Sequence, residues 1–208
     1  MKVLLVNGSP HKEGCTCTAL SETGRILESE GIGTEHYWIG TRPLSGCLAC
    51  GRCAASGRCV INDIVNEFLD KAKEFDGFVF GAPVYFAALP GAMTSFLNRV
   101  FFCAHTSHEF LGKPAAALTS NRRAGSLPAL EQFNRYFIYS GMPLVPSQYW
   151  PMVFGNTPDE VRQDGEGLQI MRTLGRNMAW MLKCREAGRE AGESCPELEP
   201  RIATNFIR

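Results

Sequence analysis

Short apolar runs alternate with amphipathic stretches along most of this chain, and that alternation constrains the fold more than any other feature. Residues 2–6 form a β-branched-rich run that ends in Asn7-Gly8-Ser9-Pro10, and Thr16–Ser29 then carries a helical pattern. The pattern recurs as a weak strand over Thr34–Ile39, a helix over Ile64–Lys73, a buried strand over Gly77–Gly81 and a helix over Pro90–Phe102. In that last helix Met93, Phe96, Leu97 and Val100 share one face. Ala115–Thr119 reads as a fourth strand, Leu127–Ser140 as a helix and Pro143–Val145 as a short fifth strand closed by Pro146. A final helix is expected from Asp164 to Ala187, after a long insertion over 146–163.

Strands joined by helical crossovers pair in parallel, and strands without polar alternation are buried on both faces. The expected class is therefore α/β, a doubly wound five-stranded parallel sheet in the order 2-1-3-4-5. Residues 1–187 make one domain, and 188–208 reads as an arm that mixes charges with Pro196, Pro200, Ile202, Phe206 and Ile207. Such an arm is expected to cross onto a second subunit.

Composition removes several functions. Lys+Arg and Asp+Glu both number 21, so no summed field would hold a polyanion and nucleic acid is not an expected partner. The apolar stretches Phe75–Leu89 and Leu111–Leu118 are interrupted by Asp76, Gly81, Pro83 and Pro114, short of the roughly 20 residues that span a bilayer. No membrane is expected either, and the brief apolar run at the start is too short for a signal peptide. The nine cysteines are an odd number, which argues against a disulfide framework and for a cytoplasmic setting.

In a doubly wound sheet the ligand crevice lies outside the carboxyl ends of strands 1, 3 and 4. The first of those loops runs from Gly8 to Thr18 and opens into a helix, whose unpaired N–H groups suit a terminal phosphate alongside the Ser9, Thr16 and Thr18 hydroxyls. An ordinary capped turn is the alternative. The second, Gly81 to Gly91, is apolar and aromatic, and Tyr85 and Phe86 belong either against a flat ligand or inside the core. The third, Thr119 to Ser126, is polar and holds Arg122 and Arg123, which would stabilise a ring that becomes anionic on reduction or would simply be solvated. Together the loops describe a ligand with a phosphate at one end and an apolar planar ring at the other, which FMN fits. Neither a P-loop, a G-x-G-x-x-G fingerprint nor a G-x-S-x-G elbow occurs.

A second constellation is Cys47-x2-Cys50-x2-Cys53-x5-Cys59. Four thiols this close in sequence can converge on an Fe–S cluster, with Arg52 and Arg58 to offset its charge; they could also hold zinc, or no metal at all. The other five cysteines, among them Cys103, read as ordinary free thiols. The four histidines, His11, His36, His105 and His108, form no ligand pattern.

The segments Gly8-Ser9-Pro10…Gly14-Cys15-Thr16, Gly81-Ala82-Pro83-Val84-Tyr85-Phe86…Gly91-Ala92-Met93…Phe96-Leu97-Asn98-Arg99 and Cys47…Cys59 together resemble the flavodoxin-like NADPH-dependent FMN reductases, including the iron–sulfur flavoproteins. The resemblance covers roughly residues 1–140. It implies a flavodoxin-like fold with non-covalent FMN, the phosphate at Ser9, His11, Cys15, Thr16 and Cys17, and the isoalloxazine at Pro83, Val84, Tyr85 and Phe86. Thr119, Ser120, Arg122, Arg123 and Gly125 would face the other side of the ring. Cys15 stands where the family commonly has asparagine, and His11 where it often has arginine. The resemblance further implies electron transfer from NAD(P)H to a small-molecule or protein acceptor, a [4Fe–4S] cluster on Cys47, Cys50, Cys53 and Cys59, and a homo-oligomer, dimer or tetramer. The flavin would carry the chemistry without a dedicated catalytic side chain. Two other classes share these features: a flavodoxin-like electron carrier, and a redox sensor that uses its cysteines as a switch.

Overall fold

Val3, Leu4, Leu5 and Val6 are all fully buried although neighbouring side chains on a strand point to opposite faces, so this strand is covered on both sides. A computed structural model describes residues 1–200 together with 202, 204 and 206. Its elements are β1 (Lys2–Asn7), α1 (Cys15–Ser29), β2 (Gly33–Trp38), α2 (Cys53–Ser56), α3 (Ile64–Ala72), β3 (Gly77–Pro83), α4 (Gly91–Ser107), β4 (Ala115–Asn121), α5 (Ser126–Tyr139), β5 (Met152–Phe154), α6 (Pro158–Gln163) and α7 (Gly165–Glu190). The strands form one parallel sheet in the order β2-β1-β3-β4-β5, as expected for a flavodoxin-like fold.

Alternate strand residues feed two separate cores. Leu4, Val6, Phe78, Phe80, Ala115 and Ala117 pack beneath α3, α4 and α5, where Phe68, Phe96, Phe133 and Phe137 are fully buried. Val3, Leu5, Val79, Ala116 and Leu118 pack beneath α1, α6 and α7, against Leu20, Met171, Leu174 and Met178. Phe68 bridges the first layer, with its ring 5.0 Å from Phe96 and 5.2 Å from Tyr37 in edge-on contacts.

Two expectations are corrected. The fifth strand lies at Met152–Phe154, within the expected insertion, and pairs with Thr119–Asn121. The expected strand Pro143–Val145 makes only a single parallel bridge, between Leu144 and Ala115, before the chain leaves the sheet at Pro146. The outer edge therefore has two short pieces, because Pro143 and Pro146 cannot donate to a ladder. The last helix also runs three residues beyond Ala187, so the expected arm begins after Glu190; its residues 201, 203, 205, 207 and 208 lie outside the described residues. Among the described residues, no helix is long and apolar enough to cross a membrane.

Candidate functional site

The register levels the ends of three strands: Asn7 of β1 lies beside Trp38 of β2 and Gly81 of β3. The loop after β1 is built on Asn7. Its side-chain amide donates to the Lys12 carbonyl at 3.0 Å, and its oxygen accepts the Ser9 N–H at 2.9 Å. The indole N–H of Trp38 holds the Ser9 carbonyl at 2.7 Å, and the Gly8 N–H donates to the Gly81 carbonyl at 2.8 Å. Gly8 has no room for a side chain, because a Cβ there would stand 2.6 Å from Met93 Sδ.

The loop ends at α1, which starts without a side-chain cap. Its first intrahelical bond is Thr18 N–H to the Gly14 carbonyl, which leaves the N–H groups of Cys15, Thr16 and Cys17 without a helical acceptor. These donors and the helix dipole make an anion-binding site. The Ser9 hydroxyl accepts the His11 N–H at 3.1 Å and keeps its own proton free to donate. His11 is exposed. Burial raises the Cys15 thiol above its ordinary range, so it stays neutral, and it donates to the Gly155 carbonyl at 3.6 Å. A neutral thiol does not repel a phosphate as a thiolate would. The Thr16 hydroxyl is buried against the Ser120 hydroxyl at 2.8 Å, so only the backbone of Thr16 is available to an anion.

The loop after β3 turns back on itself through reciprocal bonds of 2.9 Å between Tyr85 and Ala88. Phe86 and Ala87 form the corner at φ of 50° and 58°, a left-handed conformation that L-residues rarely adopt. Tyr85 is exposed and Phe86 fully so, which excludes the alternative that they turn into the core. Gly125 locks the third loop onto this one: it sits at φ of 93°, and a Cβ there would lie 2.9 Å from Ala87 Cα and 3.0 Å from Val84 Cγ1. The sequence-predicted residues of all three loops thus meet at one end of the sheet. Arg122 and Arg123 are exposed, and neither forms a salt bridge among the described residues.

Among the described residues, two buried polar atoms at the end of β4, Thr119 Oγ1 and Asn121 Oδ1, have no hydrogen-bond partner, which costs on the order of 1–3 kcal/mol each. The uncapped N–H groups at the start of α1 suit the phosphate of FMN, and the exposed Tyr85 and Phe86 suit its planar ring.

Cys47, Cys50, Cys53 and Cys59 line a second cavity, of about 110 Å³, on the outer side of α4. Among the described residues no three His, Cys, Asp or Glu side chains converge on one ion. Cys103 and Arg99 line the same cavity. Cys103 was expected to be an ordinary thiol; burial, with Cys53 and Cys59 beside it, pushes it up to about 12.

Arg99 is the residue whose part here spacing did not reveal. Its side chain is fully shut away from water and uses every donor: Nε to Cys59 Sγ at 3.3 Å, Nη1 to Asp63 Oδ2 at 2.7 Å and the Ser45 carbonyl at 3.4 Å, Nη2 to Asp63 Oδ1 at 2.8 Å and the Ile61 carbonyl at 3.0 Å. One guanidinium on α4 therefore pins both ends of the cysteine loop. Arg58, expected to offset cluster charge, instead pairs with Asp70 at 2.6 Å.

Residues 1–157 match the family described as NADPH-dependent FMN reductase. The chain is 30% identical to an iron-sulfur flavoprotein of Methanocaldococcus jannaschii over 190 residues, 88% of this chain and 98% of that protein. It is 24% identical to an iron-sulfur flavoprotein of Methanosarcina thermophila over 193 residues, 91% of this chain and all of that one. Among solved structures, a WrbA-like flavodoxin from Agrobacterium tumefaciens superposes with a TM-score of 0.64 at 14% identity, covering 88% of this chain and 98% of that one. A flavoenzyme NAD(P)H:(acceptor) oxidoreductase from Paracoccus denitrificans gives 0.66 at 13% identity, covering 88% and 97%.

Proposed function

Because the chain belongs to the NADPH-dependent FMN reductase family and is an FMN-dependent oxidoreductase, we propose that it oxidises NAD(P)H and passes the electrons to a small-molecule or protein acceptor, with a [4Fe–4S] cluster as a one-electron station. The observation that carries this reading is the uncapped start of α1, with the Ser9 hydroxyl in the loop that leads into it, at the point where the strand order reverses. FMN bound there would supply the redox chemistry, two-electron exchange with a nicotinamide and one- or two-electron exchange with an acceptor.

The chain's own residues bind and orient. The N–H groups of Cys15, Thr16 and Cys17, with the Ser9 hydroxyl and the exposed His11, hold the phosphate. Pro83, Val84, Tyr85 and Phe86 offer an apolar surface to one side of the ring. Arg122, Arg123 and Gly125 lie toward its other edge, with Thr119 and Ser120 buried behind them, and the two arginines bring positive charge to a ring that gains electrons. Tyr85 and Phe86 also suit cover by a second copy of the chain in a homo-oligomer. Nine free thiols suit a reducing, cytoplasmic setting.

Cys47, Cys50, Cys53 and Cys59 hold the cluster in this reading. The relatives named iron-sulfur flavoprotein support it, as does the shared cavity. The two centres are spaced by α4, which begins at Gly91 beside the ring loop and reaches the cysteine cavity at Arg99 and Cys103. At 1.5 Å per residue, that is about 12–18 Å along the helix axis.

The test is anaerobic purification followed by the visible spectrum, iron and sulfide content, and stopped-flow mixing with NADH and NADPH. Flavin bands that bleach with nicotinamide, beside a dithionite-sensitive shoulder and bound iron, are expected. Flavin that nicotinamide leaves oxidised would instead make the protein an electron carrier. Protein that cannot be loaded with FMN would overturn the reading.

A further inference from the structure

Arg99 differs from the other cations of this protein in one respect: its charge is buried and one of its N–H groups is aimed at a cysteine sulfur. Its Nε donates to Cys59 Sγ at 3.3 Å, while its Nη atoms face Asp63, whose side chain is 27% exposed. The guanidinium itself is shut away from water, while the Asp63 carboxylate on one side and the cavity on the other are both partly open to it, Cys59 being half-buried and Cys47 and Cys50 exposed. What singles out the cavity is the direct contact of the Nε–H with Cys59 Sγ.

We infer that Arg99 sets the reduction potential of the cluster on Cys47, Cys50, Cys53 and Cys59, by donating to the Cys59 sulfur and by placing a water-excluded positive charge beside the cavity. The inference rests on the cluster reading above. Reduction adds one electron to the cluster and neither makes nor breaks a bond to Arg99. The added negative charge is stabilised by the adjacent N–H donor and cation, which raises the potential, since hydrogen bonds to the sulfurs and net charge are the protein's means of tuning such centres. Arg99 is a positioning residue as well, because its bonds to the Ser45 and Ile61 carbonyls hold the two ends of the loop that carries all four cysteines.

Asp63 gives an independent handle with the opposite sign. Asp63→Asn removes a negative charge and keeps Arg99. The asparagine oxygen can still cap α3 at the Val65 N–H and accept from Arg99 Nη2, while its NH2 replaces the acceptor of Nη1. The pair loses one bond, and the fold is checked alongside. The full chain in wild-type, Arg99→Gln, Arg99→Lys and Asp63→Asn forms is reconstituted anaerobically with ferrous iron and sulfide. Iron and sulfide are counted, the fold is checked by circular dichroism, and the cluster is titrated potentiometrically with its paramagnetic signal as readout.

The expected result is a lower midpoint potential in Arg99→Gln, an intermediate one in Arg99→Lys and a higher one in Asp63→Asn, all with full iron content. Unshifted potentials, or shifts of the same sign in Arg99→Gln and Asp63→Asn, overturn the inference, because a loop that has merely loosened does not distinguish the sign of the charge removed. Where Arg99→Gln fails to hold iron, Asp63→Asn decides alone. A wild-type chain that takes up no iron overturns the cluster reading itself, and this inference with it.

Discussion

The hydroxyls of Thr16 and Ser120 lie 2.8 Å apart, buried between the start of α1 and the end of β4, although the residues are 104 positions apart in the chain. The contact fixes the distance between the phosphate end and the ring end of the crevice. Thr16→Val keeps the shape and leaves the Ser120 hydroxyl without its partner, at a cost of about 1–1.5 kcal/mol. FMN affinity should fall by about tenfold, read from quenching of flavin fluorescence on titration. An unchanged dissociation constant would mean that the two loops hold their spacing without this bond.

Gly8 packs its Cα against α4, and Gly8→Ala would drive a methyl into the fully buried Met93, 2.6 Å from Sδ and 3.0 Å from Cγ. Overpacking of this kind costs about 1–3 kcal/mol. For a chain of this length each kcal/mol lowers Tm by about 2–4 °C, which differential scanning calorimetry would register. A Tm equal to that of the wild type would show that Met93 moves aside freely.

At the tip of the ring loop, Ala87 holds φ of 58° and its neighbour Phe86 holds 50°. Ala87→Gly removes the left-handed strain of about 1–2 kcal/mol but loosens the unfolded chain by roughly 0.5–1 kcal/mol. The net expectation is a small stabilisation, of about 0.5 kcal/mol or more, measured as a raised urea midpoint. A lowered midpoint would mean that the Ala87 methyl contributes more by contact than its backbone loses by strain.

Glu22 ties α1 to α7. Its hydrogen bond from Arg25, opposed by burial and aided by Arg172 at 3.0 Å, holds its carboxyl below the ordinary 4.5. The native state therefore favours the charged form, and its contribution is present above about pH 4.5 and lost as pH falls through the lower native value. Glu22→Gln should cost about 0.5–1 kcal/mol near pH 7, and the gap from wild type should close in acid. Urea midpoints at about pH 7 and at about pH 2, below the carboxylate range, read both ends of that window. A gap that persists in acid would assign the effect to packing.

The strand order and the meeting of three loops were legible because each depends on a local pattern. A buried parallel strand shows itself as an uninterrupted apolar run, and the loops follow from the strand order. The fifth strand was not legible, since Met152–Phe154 is three residues long and sits among Tyr149, Trp150 and Pro151, which read as loop. Cys103 and Arg99 escaped for a different reason. They reach the cysteine loop from α4, about 40 positions further along the chain, and spacing carries no information about partners that far away. Asn7 read only as part of a turn, although its amide shapes the whole phosphate loop.

The cysteine loop spans the interval between β2 and α3, and the guanidinium of Arg99 on α4 holds both of its ends. No strand of the sheet passes through it, and none of its cysteines is fully buried. It is a graft on the flavin-binding body. With the proposed cluster on this loop, a chain starved of iron would keep its flavin and lose only a single-electron outlet, and a lineage could gain or discard that outlet by altering some two dozen codons while the sheet and its crevice stayed as they are.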